Sequence, residues 1–323
     1  MFKKLIILML TAFLLFNNVS SFAEEPTVKL VGLTGPTSMG MAGLLDQNEK
    51  GNTKNNYEFE ALGTADEVVA KLSSGEADIA AIPLNLAATL YNKTEGKLLK
   101  MIDVNTLGVL YVVENGETVT DLSSLKGKDV YSTGKGTVPE YAFRYILSQN
   151  GIDPDNDLNI IFKSEATEVV AIMQNTKDVI ALLPQPFVTI AQGQVDGLRI
   201  VANLTEEWDK LNNGSSFVTG VTVVRSSFAE SNPDAVSDFL FDHKASVEFV
   251  NANNEEAAKI IEKFGIFKAA VAQKALPYCN ITYIDGEDMQ NITSAYLQVL
   301  FDANPKSIGG SMPDEAFYAK IQK

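Results

Sequence analysis

The hydrophobic and polar positions along the chain follow a strand-like period and a helix-like period in turn. The apolar run 28–33 is followed by helical spacing over 39–46. Residues 57–62 alternate as a strand does, and 79–82 form a short apolar run. Because strands and helices succeed one another, we predict an α/β fold with helices on both faces of an open sheet.

Capping residues indicate where the elements begin and end. Thr64 and Glu67 have the spacing of a capping box, Gly75 is placed to end their helix, and Pro83 ends the next strand. Beyond Asn232 the spacing is almost entirely helical, and we predict helices at 232–250, 255–264, 268–276, 288–301 and 313–321. These late helices have apolar faces that need the first sheet to bury them.

An internal repeat indicates two lobes of similar topology. When the chain is shifted by 101 positions, residues 65–70 fall on 166–171, and Pro83 falls on Pro184. The loops after these two prolines are expected at the carboxyl ends of strands, where open α/β sheets bind ligands.

Two β-rich runs flank the second copy of the repeat. We interpret 106–113 as the start of the first crossing between the lobes and 216–225 as the return. The predicted division is 27–112 plus 226–323 for one lobe and 113–225 for the other.

Two short turns are candidates for a binding site shared by the lobes. Residues 34–38 and 133–137 each contain Gly and Thr, follow an apolar run and open a helical segment. The first amides of a helix lack partners within it, so such turns hold small polar ligands, especially anions. The alternative is that each turn is an ordinary helix N-cap.

The first 23 residues have the layout of a cleavable secretory signal. Two lysines precede an apolar run over 5–16, and small residues up to Ala23 precede the expected cleavage position. An uncleaved anchor is the alternative, although the run is shorter than the roughly 18 residues of a spanning helix. The only cysteine is Cys279, so no lipid-anchoring cysteine follows the signal, and we expect a free periplasmic or cell-envelope protein.

The charge balance restricts the partners. The chain has 26 basic and 41 acidic residues and a net charge of −15, which becomes −17 once the two lysines of the signal are removed. Such a surface repels nucleic acid and anionic membranes, so we expect no nucleic-acid partner. One cysteine also excludes an internal disulfide.

No catalytic residue, metal site or cofactor is predicted. His243 is the only histidine, its flanks are typical of a helix surface, and the chain lacks the Gly-x-Ser-x-Gly pattern of a secreted hydrolase. Cys279 has no second cysteine or clustered histidine near it for a metal or redox pair, and we expect it to be buried.

Several stretches give the chain a resemblance to a known family. They are Leu125-Lys126-Gly127-Lys128 with Gly134 and Pro139, Leu147 with Gly151-Ile152-Asp153-Pro154, Glu168 through Pro186-Phe187, and Asn232-Pro233-Asp234-Ala235. The sequence resembles ABC-importer substrate-binding proteins of the nitrate/sulfonate/taurine and thiamine-precursor type. The resemblance implies the type II periplasmic binding fold, with two doubly wound α/β lobes joined by two crossing segments. The chain lacks the cysteine-rich motif of pyrimidine synthases with this fold and any basic cluster for multiply charged oxyanions.

The resemblance also implies a ligand site between the lobes. Its members would be Thr37, Ser38, Met39, Leu84, Asn85, Gly136, Thr137, Val138 and Gln185. Hydroxyls of Thr37 and Ser38 would donate to the ligand, whereas Asn85 and Gln185 can donate and accept.

Two aromatic residues and one lysine are further candidates. Trp208 precedes the second crossing and would stack on a planar ligand or cap the cleft; its alternative role is helix packing. Tyr111 would contact ligand if the crossing strand passes beneath the cleft. Lys135 would pair with an anionic group, or is simply an exposed loop lysine.

The function that we expect is an extracytoplasmic solute receptor, monomeric, that captures a small organic or oxyanionic solute and docks on an ABC permease. A secreted enzyme and a sensor domain for a membrane kinase are the alternatives. Nitrate, a sulfonate, a thiamine precursor and other small heterocycles all remain open as ligands.

Overall fold

The structure, a computed structural model, describes residues 27–211 and 214–320. The predicted signal at 1–23 lies outside the described residues. The strands are β1 (Thr27–Leu33), β2 (Asn56–Leu62), β3 (Ile79–Pro83), β4 (Leu99–Leu107), β5 (Leu110–Glu114), β6 (Asp129–Ser132), β7 (Asn159–Phe162), β8 (Ile180–Pro184), β9 (Arg199–Asn203), β10 (Val218–Arg225) and β11 (Ile281–Ile284).

The α-helices are α1 (Pro36–Met39), α2 (Ala42–Glu49), α3 (Ala65–Ser74), α4 (Leu84–Lys93), α5 (Val138–Gln149), α6 (Ala166–Asn175), α7 (Phe187–Gln194), α8 (Leu204–Lys210), α9 (Ser226–Ser231), α10 (Pro233–Ala252), α11 (Asn254–Lys263), α12 (Ala269–Ala275) and α13 (Gly286–Ala303). Short 3-10 turns occupy Leu122–Leu125, Leu276–Tyr278, Pro305–Ile308 and Glu315–Phe317. No helix in the described ranges has the length and apolar character needed to span a membrane.

The strands form two separate sheets. One sheet has the order β11-β4-β10-β3-β1-β2, and the other has the order β7-β6-β8-β5-β9. β1 runs parallel to β2 and β3, and β6 runs parallel to β7 and β8, whereas β10 and β5 are antiparallel to their neighbours. The predicted fold of two doubly wound α/β lobes joined by two crossings is confirmed.

Local chemistry explains why α3 begins and ends where the sequence predicts. The Thr64 hydroxyl accepts a hydrogen bond from the Glu67 amide, and the Glu67 carboxylate accepts one from the Thr64 amide at 3.0 Å. Gly75 ends the helix at a φ of 79°, in the left-handed region that glycine adopts without strain. Val68 and Leu72 then turn the apolar face of α3 into the core.

Three apolar clusters hold the sheets and helices together. One lies between the six-stranded sheet and the helices α2, α10 and α11. Another lies between the five-stranded sheet and the helices α6 and α7. The third is continuous from α3, α4 and α13 across to α5 and α8, so it joins the two sheets. Trp208 is completely buried in this joining cluster, stacked on Phe217 at 5.4 Å and within 5.0 Å of the Tyr145 and Tyr296 rings.

At both crossings the strands divide between the two sheets at positions other than the predicted lobe boundaries. The run 106–113, predicted as one strand, breaks at Gly108 and divides between the two sheets, so Leu110 already belongs to the five-stranded sheet. β10, which the prediction gave to the second lobe, lies in the middle of the six-stranded sheet. A Cβ atom at Gly108 would come 2.2 Å from Thr205 Oγ1 and 2.6 Å from Phe217 Cδ1, so glycine lets the two crossings touch.

The end of the described chain also differs from the prediction. A helix was predicted at 313–321, but within the described part of this range the structure has a single 3-10 turn at Glu315–Phe317. Tyr318 then forms a parallel β-bridge with Met101. The Ala319 amide donates to the Met101 carbonyl at 2.9 Å. The segment is therefore held by backbone pairing with β4 and not by an amphipathic helical face.

Candidate functional site

The first predicted turn and the loop after Pro83 come together at the strand β10. Pro83 pairs with Gly220 in the antiparallel ladder of β3 and β10. A Cβ atom at Gly220 would lie 2.5 Å from Thr37 Cγ2, so the turn packs directly on this glycine. Asn85, two residues beyond Pro83, opens α4 at the same end of the sheet and is buried.

The loop after Pro184 reaches the same crossing from the other sheet. Pro184 pairs with Leu110, and the Gln185 amide donates to the Val109 carbonyl at 2.9 Å. Because Val109 lies between β4 and β5, the Gln185 backbone and the first turn lie near the same short segment of chain. Gln185 is also buried, and its Oε1 accepts from the Thr189 hydroxyl at 2.8 Å.

The turn at 34–38 is short and tightly packed. Only Pro36–Met39 is helical, and Thr37, Ser38 and Met39 are all buried. The Ser38 hydroxyl donates to the Leu33 carbonyl at 2.7 Å, which fixes its orientation. The predicted role of Ser38 as a hydroxyl donor to ligand conflicts with this bond, because the hydroxyl hydrogen is already used.

The turn at 133–137 has a different environment. Gly136 is exposed at a φ of 76°, and its amide donates to the Glu140 carboxylate at 2.7 Å. The Thr137 hydroxyl donates to the Gly134 carbonyl at 2.6 Å. The anion-binding amide expected at this turn therefore has a partner from its own helix.

Several predicted site residues are apolar and lie in the cores. Met39, Leu84 and Val138 have almost no exposed surface and belong to the apolar clusters on the two sheets. Trp208 was predicted to stack on ligand or cap the cleft, and the structure corrects this: the ring is enclosed by three other aromatic rings of the joining cluster.

Two side-chain contacts connect the five-stranded sheet and its helices to the part of the chain that covers the other sheet. The Tyr111 hydroxyl, from β5, donates to the Tyr278 carbonyl at 3.4 Å. Burial raises the pKa of Tyr111 to about 12, so this hydroxyl keeps its proton at neutral pH. The Phe187 ring, at the start of α7, meets Phe267 edge-on at 6.0 Å between centroids. Both pairs join the five-stranded sheet and its helices to the segment around α12.

His243 is not on a helix surface as predicted. It is completely buried on α10, and its Nδ1 lies 3.1 Å from the Asp103 carboxylate in the centre of β4. Nε2 has no hydrogen-bond partner among the described residues. Among the described residues, no serine hydroxyl bonds to His243, and its side chain has no exposed surface. The environment of the His243–Asp103 pair is therefore that of a structural contact in the core.

Cys279 is buried, as expected from its lack of partners. Burial raises the pKa of its thiol to about 12, so the thiol stays protonated and unreactive. Within the described residues, no three histidine, cysteine, aspartate or glutamate side chains are grouped to hold a metal ion.

A cavity of about 1160 Å³ lies elsewhere, between α5 with the loop after it and the end of α13. None of the predicted ligand residues lines it. Lys135 is exposed, with its Nζ 5.9 Å from the centre of the Phe162 ring. The predicted polar side chains Thr37, Asn85 and Gln185 instead lie around the chain that crosses between the two sheets, and this region is termed the crevice.

Comparison with known protein families decides which proteins this chain is related to. Residues 50–275 match the family described as ABC transporter, phosphonate, periplasmic substrate-binding protein. The chain belongs to this family. Members of this family of periplasmic substrate-binding proteins are extracytoplasmic components of ABC import systems, so the expected class of function is confirmed. No curated protein matches the chain in sequence.

Solved structures share the fold over almost the whole chain. An ABC transporter protein from Parabacteroides distasonis is 25% identical, with a TM-score of 0.76 over 92% of this chain and 99% of that one. The aliphatic sulphonate-binding protein SsuA from Escherichia coli is 15% identical, with a TM-score of 0.71 over 92% of this chain and 93% of its own. A zinc-bound ligand-binding component of an ABC-type import system from Staphylococcus aureus is 14% identical, with a TM-score of 0.70 over 92% and 97%.

Sequence reasoning missed two residues beside the predicted turns, Asn105 and Glu140. Asn105 has its Oδ1 2.6 Å from the position of a Cβ atom at Gly220, beside Thr37. The Glu140 carboxylate accepts the hydrogen bond of the Gly136 amide in the second turn. Asn105 follows apolar residues near the end of β4, and a buried polar residue at that place is the signal that could have identified it.

Proposed function

We propose that the protein captures one small solute in the crevice between the two sheets and delivers it to an ABC permease. The observation that carries this proposal is the convergence of Thr37, Asn85 and Gln185 on the two crossings. These buried polar side chains come from both sheets, so a solute between them contacts both lobes at once. Family membership supports import and not catalysis as the use of that contact.

The proposed lobes follow the two sheets. Residues 27–108 together with 218–320 form the first lobe, and 109–211 form the second, with the joints at Gly108 and before Phe217. We further propose that the signal is cleaved near Ala23 and that the mature protein acts as a free monomer. Thr37, Asn85, Gln185 and Tyr111 remain the proposed ligand contacts, with Thr137 at the rim.

Contacts across the crevice support closure around the solute. The Tyr111–Tyr278 and Phe187–Phe267 pairs connect the lobes beside the joint at Gly108, whose carbonyl accepts a hydrogen bond from Asn280 Nδ2, and the joining cluster connects them as well. A ligand shifts such an equilibrium only if it binds the closed form better, and contacts from both lobes provide that difference.

The test is native mass spectrometry of the protein purified from its own host, followed by small-angle scattering before and after the solute is removed by reversible unfolding. We expect one bound small molecule, recovered chemically unchanged after long incubation, and a larger radius of gyration once it is removed. A chemically altered molecule would favour the secreted enzyme. An unchanged molecule without any change in scattering would contradict closure.

A further inference from the structure

The cavity of about 1160 Å³ lies between the two lobes and not within one of them. One wall is formed by α5 and the loop after it, including Tyr145 and Asp153, and the other is the end of α13, including Val299 and Ala303. We term this space the α5–α13 groove. Because α5 belongs to the second proposed lobe and α13 to the first, the width of the groove depends on the angle between the lobes.

The first turn and the groove lie on opposite faces of the six-stranded sheet. Ala81 of β3 belongs to the same apolar cluster as Met39 of the first turn, whereas the next residue, Ile82, belongs to the joining cluster with Tyr296 of α13. Successive side chains of a strand point to opposite faces of its sheet. The first turn and α13 therefore cover opposite faces, with the joint between them.

The lobes touch on the side of the first turn. There Phe187 meets Phe267 edge-on at 6.0 Å, and the Tyr111 hydroxyl donates to the Tyr278 carbonyl at 3.4 Å. Phe267 packs against the apolar cluster of the first turn, so these contacts lie on its face of the sheet. On the other face the lobes touch at the joining cluster and diverge beyond it, since Tyr145 both contacts Trp208 and lines the groove.

Rotation about the joining cluster has opposite effects on its two sides. If the contacts on the side of the first turn separate, α5 approaches α13, and the groove becomes narrower. Packed side chains cannot interpenetrate, so the lobes separate on that side only as far as the groove has free volume. The groove therefore provides the space that opening of the crevice requires.

Carboxylates on both walls oppose the approach of α5 to α13. Arg144 is the only basic residue among those that line the groove, and it is already paired with Glu140 and Asp155. Asp153 lies on the wall of α5 and Asp302 on the wall of α13. Like charges repel more strongly as they approach, and dissolved salt screens this repulsion.

We propose that the α5–α13 groove is a steric and electrostatic stop for the opening of the crevice. It is wide when the lobes close over a solute, as in this structure, and narrow when they open. A side chain that fills the groove therefore holds the crevice closed without touching a residue of the crevice. The consequence for solute retention rests on the proposed function, whereas the motion itself does not.

The test compares the wild type with Ala303→Trp, which fills the groove, and with the matched control Ala252→Trp. Ala303 is the exposed last residue of α13, and Ala252 is the exposed last residue of α10 and does not line the groove. A further variant, Asp302→Lys, replaces the repulsion across the groove by attraction. Urea unfolding shows that each form is folded.

Pulsed electron paramagnetic resonance measures the distance between two spin labels on the side of the first turn. The labels are attached through Gln192→Cys on α7 and Ala270→Cys on α12, two exposed positions, whereas Cys279 is buried and stays unlabelled. The protein is the full chain secreted by its own host, made solute-free by reversible unfolding. Native mass spectrometry of unlabelled, natively purified protein then measures how much solute each form retains after dialysis.

We expect the solute-free wild type and Ala252→Trp to show a short and a long distance that differ by at least about 2 Å. Ala303→Trp should show only the short distance and retain at least about fivefold more solute. Asp302→Lys should favour the long distance and retain about twofold less solute. Its effect should disappear in about 1 M salt, where the screening length is about 3 Å.

A single short distance in the wild type, or a long distance that persists in Ala303→Trp, would overturn the inference. A shift of Ala252→Trp equal to that of Ala303→Trp, or an effect of Asp302→Lys that persists in high salt, would also overturn it. All of these results would leave the proposed function intact. If no form carries a small molecule, the proposed function fails, while the label distances still decide whether the groove limits opening.

Discussion

The two turns that share a sequence pattern have opposite environments. In the first, Thr37 and Ser38 are buried against β10 and the end of β1, whereas in the second Gly136 is exposed and capped by Glu140. The turn sequence alone does not decide whether its donors face a ligand. A residue outside each turn decides this. For the first turn it is Gly220, more than a hundred positions away in the chain, and for the second it is the carboxylate of Glu140, four positions after Gly136.

The strongest test of this difference is Gly220→Ala compared with Gly136→Ala. The new methyl group at Gly220 would overlap Thr37 and Asn105, which lie 2.5 and 2.6 Å from its position. We expect this variant to lose about 1–3 kcal/mol of unfolding free energy, as over-packed cores do. We also expect it to lose the co-purifying solute by more than about tenfold, or 1.4 kcal/mol.

Gly136→Ala is the control, since nothing lies within 4 Å of its Cβ position. Its only cost is the left-handed backbone conformation, about 1–2 kcal/mol. Urea unfolding gives the stability of both variants, and native mass spectrometry gives the retained solute. Equal retention by the two would contradict the assignment of the first turn to the site.

A smaller effect is expected when single hydroxyls are removed. No hydrogen bond within the described residues uses the Thr37 hydroxyl, so it is available to a solute. Thr37→Ala should weaken solute binding about tenfold, or 1.4 kcal/mol. Thr137→Ala should change affinity little and lose about 0.5–1.5 kcal/mol of stability, because its hydroxyl already bonds to Gly134.

Isothermal titration with the solute released from the wild type measures both affinities. Ser38 is left unchanged because its bond to Leu33 would make a variant lose stability as well. A larger loss of affinity for Thr137→Ala than for Thr37→Ala would reverse the comparison of the two turns.

The smallest effect concerns the charge at the second turn. Glu140→Gln keeps an oxygen acceptor for the Gly136 amide but removes the negative charge that opposes an anion there. We expect this variant to retain the natural solute unchanged. Its unfolding free energy should fall by at most about 1 kcal/mol, because the ion pair with Arg144 is partly exposed. Ethylphosphonate should raise its melting temperature weakly at most. Loss of the natural solute in this variant would show that Glu140 contacts it directly.

Short-range signals made the architecture predictable from the sequence. The capping box at Thr64 and Glu67 fixes the start of α3, and the prolines at 83 and 184 end corresponding strands in the two sheets. These features depend on residues close together in the chain. They also led to the first turn and to the loops around Asn85 and Gln185, which remain proposed ligand contacts.

Features that depend on distant partners could not be predicted in this way. The run 106–113 is continuous and almost entirely apolar after Thr106, so its pattern does not show that Gly108 divides it between two sheets. His243 has polar neighbours in sequence, and its burial follows from Asp103, a lone acid in an apolar strand. Trp208 precedes a crossing in sequence, but the rings that enclose it come from α5, α13 and the segment before β10.

The position of Trp208 has a spectroscopic consequence. It is the only tryptophan of the chain, and it lies in the cluster that joins the lobes instead of in the crevice. The intrinsic emission of the protein therefore reports on the joint, without an attached label and without direct contact from a bound molecule. A shift of the emission maximum would record rearrangement of the stacked rings, whereas quenching by dissolved iodide would require that the stack itself open to water.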